Sequence, residues 1–134
     1  IAYRNSLRPN NSSDSIPGTS LMYHFLKDQY DSVLFYSNRL PFSLLKSLAY
    51  IKTGKMEQAK KIIDSLDNVS PYDHAFQTGI LHAWMGEKQK ALEKLNLAYR
   101  LYDYGLISIK VDKLFDPLRN EEGFKELLKK MGME

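Results

Sequence analysis

One set of spacings constrains this chain more than any other feature. Gly79, Gly86, Ala91 and Ala98 stand at successive offsets of seven, five and seven residues. The same offsets from Ser47 reach Gly54, Ala59 and Leu66, and from Leu21 they reach Asp28, Val33 and Leu40. A small residue in one helix lets a second helix approach closely, and a turn residue, ideally glycine, reverses the chain. Small residues on the second helix then let it lie against both its partner and the next pair. Neither helix of such a pair buries its apolar face alone, so pairs stack. The expectation is an all-α chain of about three degenerate helix pairs.

Apolar periodicity supplies the helices. Leu21, Met22, Phe25 and Leu26 recur at helical spacing, and Val33, Leu34, Tyr36 and Leu40 follow. Pro41 suits a first turn, ahead of the stripe Leu44, Leu45, Leu48 and Ile51. Beyond Gly54 come Ala59, Ile62, Ile63 and Leu66. Ser70-Pro71 reads as N-cap and first helical residue of a helix carrying Ala75, Phe76, Gly79, Ile80, His82 and Ala83. Ala91, Leu92, Leu95, Leu97, Ala98 and Leu101 form the next. No stretch alternates with period two for long enough to demand a strand. Leu106 to Lys110 comes closest and reads as a short helical turn. Asp116 reads as an N-cap before Pro117, and Asn120 as the cap of a last helix. Phe124, Leu127, Leu128 and Met131 share one face of that helix, and Gly132 ends it.

A length of 134 residues suits one domain. Residues 1–19 are polar, rich in Asn, Ser and Pro, and read as a linker or disordered lead-in. Residues 20–134 form the helical domain, with a cap over 105–134. The net charge of +3 arises from 19 basic and 16 acidic residues that intermingle, as in Glu87-Lys88-Gln89-Lys90. Such mixing describes a solvated helix face, not a phosphate-binding stripe, so no direct nucleic-acid contact is expected. The absence of cysteine excludes disulfides, thiolate metal sites and cysteine nucleophiles. No apolar run approaches the ~18 residues of a membrane span, so no membrane contact is expected within this chain. The chain starts at Ile1 and carries no visible signal peptide. The expectation is a piece of a longer protein, cytoplasmic unless a membrane span lies upstream.

The spaced anchors resemble the tetratricopeptide repeat family. Gly79…Gly86…Ala91…Ala98 is a good match, and Thr53-Gly54-Lys55…Ala59 a fair one. Asp28-Gln29-Tyr30-Asp31-Ser32-Val33-Leu34 is similar to the family's turn and second-helix start, with Asp28 where glycine is common. The bulky aromatic that opens the family's first helix is replaced by Ser43 and Ala75. The tail, with Lys110-Val111-Asp112 and Phe115-Asp116-Pro117-Leu118-Arg119, looks like the C-terminal end of tetratricopeptide arrays in bacterial signalling proteins. Those include winged-helix transcription regulators, adenylate-cyclase-like proteins and serine/threonine kinases.

The resemblance implies an α-α superhelix with a C-terminal capping helix, and an effector upstream. Asp116, Pro117 and Arg119 would fasten the cap onto the last repeat. Partners of this family lie along first helices on the concave side. Carried over, that places Leu44, Leu48 and Ile51, then Phe76, Ile80 and Ala83, in a groove. Members that clamp the acidic tails of heat-shock chaperones use lysine, asparagine and arginine there. An apolar groove suits an amphipathic helix of another protein instead, or a second copy of the chain as a homodimer.

Catalytic chemistry finds little footing. His74 and His82 are eight residues apart, roughly 12 Å along one helix, and no His-Glu-x-x-His is present. No phosphate-cradling glycine loop or nucleophile elbow occurs. The chain is therefore read as a non-catalytic protein-interaction scaffold without metal or cofactor. The alternative is a ligand-sensing domain of a transcription regulator, with His82, Gln77 and Tyr50 converging on a pocket. Trp84, Tyr99, Tyr102 and Tyr104 read as core or cap packing.

Overall fold

The structure, a computed structural model, describes residues 18–40 and 43–133, with side chains from Leu21 onward. Every regular element among them is helical. In chain order these are α1 (Gly18–Leu26), α2 (Tyr30–Tyr36), α3 (Leu44–Lys52), α4 (Met56–Val69), α5 (Ala75–Trp84) and α6 (Lys88–Arg100). Two 3-10 helices follow, Tyr104–Ser108 and Lys113–Leu118, and then α7 (Glu122–Lys130). The all-α expectation holds. Most of the polar lead-in, residues 1–17, and Pro41 lie outside the described residues, and α1 begins at Gly18, inside the expected 1–19 lead-in.

The chain divides into two compact units on either side of the Thr53–Gly54 bond. In the first, α1 and α2 pack on each other and on α3, closing over Leu21, Phe25, Val33 and Leu48. The second is built around α5, which packs most extensively against α6 and also against α4 and the second 3-10 helix. Its core holds Ile80, Leu81, Leu95, Ile109, Phe115, Leu118, Phe124 and Leu127.

The repeated spacing has a physical counterpart at most of its positions. Asp28, Gly54 and Gly86 all take left-handed backbone, with φ of 60°, 82° and 85°. The residue five positions on is sealed in every case: Val33, Ala59 and Ala91 are 0 % exposed. A Cβ at Gly79 would sit 3.0 Å from Leu95 Cδ2, so the small residue sets how closely α5 and α6 approach. Ala98 and Leu66 are buried as well. Asp28 adopts the left-handed region without being glycine, as aspartate tolerates. Its carboxylate accepts the Tyr30 hydroxyl at 2.8 Å. Burial, followed by that bond, pushes the Tyr30 phenol up to about 12.

Three helix starts differ from the expectation. Ser70 does not cap α5; its hydroxyl accepts from the Asp73 amide at 3.2 Å and closes a turn, and α5 begins later at Ala75. Proline in the second position of a turn suits that geometry as well as a first helical position would. Asp116 is not an N-cap, because it lies inside the second 3-10 helix with Pro117. Asp112 caps that helix by accepting from the Leu114 amide at 2.9 Å, since aspartate readily bonds the backbone two residues on. Glu121, not Asn120, occupies the N-cap of α7, without a side-chain capping bond.

Candidate interaction surface

Arg100 is the last residue of α6, and Tyr102 turns the chain with φ 59°. Asp103 then accepts from the Gly105 amide at 2.8 Å and starts the first 3-10 helix. Such a helix repeats every three residues, so side chains at i and i+3 share a face. Leu106 and Ile109 point inward and are 3 % and 0 % exposed. The opposite face carries Tyr104 and Ile107, 86 % and 69 % exposed, flanked by Tyr102 at 88 % and Val111 at 81 %. Leu101 extends the row, half in solvent.

This exposed row is held on a firm base. A Cβ at Gly105 would come within 2.7 Å of the Phe76 ring, so the backbone lies directly on that side chain. Phe76 in turn meets Phe115, and Phe115 meets Phe124. Arg119 donates from Nε to Asp116 Oδ1 at 2.8 Å and from Nη1 to the Lys110 carbonyl at 2.6 Å. Its Nη2 donates to the Asp112 carbonyl. The Trp84 indole donates to the Leu114 carbonyl at 2.8 Å, and the Tyr99 hydroxyl donates to the Lys130 carbonyl at 3.2 Å. Arg119 thus ties the 109–112 backbone to the second 3-10 helix, while Trp84 and Tyr99 join the cap to α5 and α6. Trp84 and Tyr99 pack as expected, whereas Tyr102 and Tyr104 do not: their rings stand in solvent.

Of the six residues placed in a groove, four are buried and two are half-buried. Leu48, Ile51, Ile80 and Ala83 are 0 %, 6 %, 0 % and 2 % exposed, sealed by the chain's own side chains. Leu44 and Phe76 are half-buried, Phe76 beneath Gly105. Leu44, Leu48 and Ile51 belong to the first unit, and Phe76, Ile80 and Ala83 to the second. No incoming helix can anchor on the four sealed positions without opening a core.

Hollows open on the second unit. One of about 710 Å3 lies between α6 and α7, with Leu92 and Asn96 beside Glu93, Glu126, Arg100 and Lys130, charges of both signs. A smaller one of about 280 Å3 is lined by Lys60, Asp64, His82 and Glu87 among others. His82 is buried, and its Nδ1 lies 2.8 Å from Glu87 Oε1. That hydrogen bond, more than the charges nearby, holds the Glu87 carboxyl below its ordinary value. Gln77, the second residue of the ligand-sensing set, has a buried Oε1 without a hydrogen-bond partner among the described residues, yet lines neither hollow. His74 occupies the N-cap of α5 without a side-chain capping bond. Among the described residues no group of three or more His, Asp or Glu side chains is placed to hold a metal ion.

No family model, curated protein or solved structure matches the chain. Its own geometry therefore carries the functional argument. Sequence periodicity missed the exposed row because Leu106, Ile107 and Ile109 look alike in sequence. The three-residue alternation of Leu106 and Ile109 against Tyr104 and Ile107 was the available signal.

Proposed function

We propose that the chain is a non-catalytic protein-interaction module, a run of tetratricopeptide-like helix pairs with a C-terminal cap, belonging to a larger regulatory or signalling protein. One observation carries the reading: Tyr102, Tyr104, Ile107 and Val111, near neighbours in the chain and each more than two-thirds exposed, ride on a backbone fixed from beneath. Exposed apolar patches of this kind mark contact surfaces, and tyrosine gives large contact area for little lost conformational freedom. Tyr102 adds a second sign. A bulky residue in the left-handed region stores roughly 1–2 kcal/mol, strain that clusters where function requires it. The burial of Leu48, Ile51, Ile80 and Ala83 supports contact through the cap over contact along the first helices.

A ligand sensor built on His82, Gln77 and Tyr50 would need those groups to converge on one pocket. His82 is already engaged with Glu87, in a hollow that Gln77 does not line.

Covalent footprinting tests the interaction reading. Tetranitromethane should nitrate Tyr102 and Tyr104 rapidly in the purified chain and slowly in the native complex, with Tyr72 on the turn before α5 as an unprotected control. Equal nitration of Tyr102 and Tyr104 in both states would remove the proposed surface.

A further inference from the structure

We infer that the 101–111 row is a two-fold self-association surface whose occupant is a second copy of this chain. The inference rests on the interaction reading above and names the partner for it. Area is the first argument. Two tyrosines exposed to this degree offer roughly 300–400 Å2 of contact surface. Leu101, Ile107 and Val111 extend it towards the ~800 Å2 per partner of a standard interface.

Shape is the second. Side chains 69–88 % exposed project from the surface; they do not line a groove, so they cannot grip a peptide from both sides. Two such rows can interdigitate, with tyrosine rings packing edge-to-face or offset.

Charge decides between occupants. Along residues 100–116 stand Arg100, Lys110 and Lys113, and Asp103, Asp112 and Asp116, three of each sign. Asp103 and Asp112 also cap the 3-10 helices. An anionic lipid surface would attract half of this set and repel the other half. A two-fold axis through the middle of the segment treats it differently. Antiparallel apposition turns Asp103 of each copy towards Lys113 of the other. The surface is then self-complementary, as an isologous contact requires.

The chain contains no cysteine, so an introduced thiol reports on its own surroundings alone. Ile107→Cys places a thiol at the middle of the row, where the axis brings equivalent residues within disulfide reach. Val69→Cys, equally accessible on α4, serves as the control. Sedimentation velocity of the wild-type chain should show a concentration-dependent dimer, and Ile107→Cys should cross-link at least tenfold faster than Val69→Cys. The pair Tyr104→Glu and Ile107→Glu should weaken dimerisation at least about thirtyfold with an unchanged helical circular dichroism spectrum. A dimer that persists in the folded double variant, or equal cross-linking at positions 107 and 69, overturns the inference. So does co-flotation with anionic vesicles that the double variant abolishes while sedimentation shows only monomer. A monomeric wild type whose Tyr102 and Tyr104 are still shielded in the native complex overturns self-association alone and leaves the interaction module standing.

Discussion

The α5–α6 hairpin and the 101–111 segment follow one another in the chain and dispose of similar side chains in opposite ways. The hairpin seals Ile80, Leu81, Ala91 and Leu95 at 0 % exposure. The segment places Tyr102, Tyr104, Ile107 and Val111 in water and keeps only Leu106 and Ile109 inside. Both are held by the chain's own contacts: the hairpin by apolar packing on either side of Gly79, the segment by Arg119 and the Phe76 ring beneath it. The hairpin makes the fold, and the segment uses the fold as a platform. Apolar content alone therefore does not identify core; the backbone beneath a side chain decides what its exposure means.

The largest way to sharpen this contrast is truncation on both sides of it. Leu95→Ala removes a fully buried side chain from the α5–α6 contact and should destabilise the chain by about 3 kcal/mol in urea unfolding. Ile107→Ala, measured under dilute conditions, should fall within about 0.5 kcal/mol of wild type. Comparable losses at the two sites would place Ile107 in the core.

Next comes Arg119→Ala, which cuts the charge-assisted bonds to the 110 and 112 carbonyls and leaves the hairpin untouched. The expected loss is about 1–2 kcal/mol. Faster hydrogen exchange should appear at Val111 and Asp112, whose amides donate to the Ser108 carbonyl, and not in α6.

Tyr102→Gly separates the two regions by sign. Relief of left-handed strain should raise stability by about 1 kcal/mol, while self-association weakens because the most exposed ring is gone. Stability and association falling together would mean that Tyr102 supports the fold.

The smallest effect lies at the His82–Glu87 bond. Because the bond lowers the folded-state value of Glu87, its contribution is complete above the ordinary 4.5 and fades as the pH falls from there through the lowered value. Glu87→Gln should flatten the acid limb of a thermal-melt profile below about pH 4.5 and leave the Tyr102 and Tyr104 nitration rates unchanged.

Much of the helical framework was legible because its determinants are local. The offsets linking Gly79, Gly86, Ala91 and Ala98 coincide with a close approach, a left-handed turn and two sealed small residues. Asp28 could be recognised as a turn residue in place of glycine for the same reason. Helix starts were less legible, since Ser70-Pro71 and Asp116-Pro117 suit a turn or a 3-10 helix as readily as an α-helical N-terminus. The contact surface was least legible. Apolar residues at Leu48, Ile80 and Ile107 look alike in sequence, and only tertiary packing separates two that are sealed from one that is 69 % exposed.

The central claim is that the exposed side chains of the 101–111 segment, Tyr104 and Ile107 among them, carry association and not stability. Urea unfolding of the wild-type chain and of the Tyr104→Glu, Ile107→Glu variant, each across a range of chain concentrations, tests it most directly. The wild-type midpoint should rise with concentration, as linkage to dimerisation requires. The variant's midpoint should stay constant and coincide with the wild-type value at the dilute end. A variant that unfolds at much lower urea at every concentration, or a wild-type midpoint that never moves, would contradict the account.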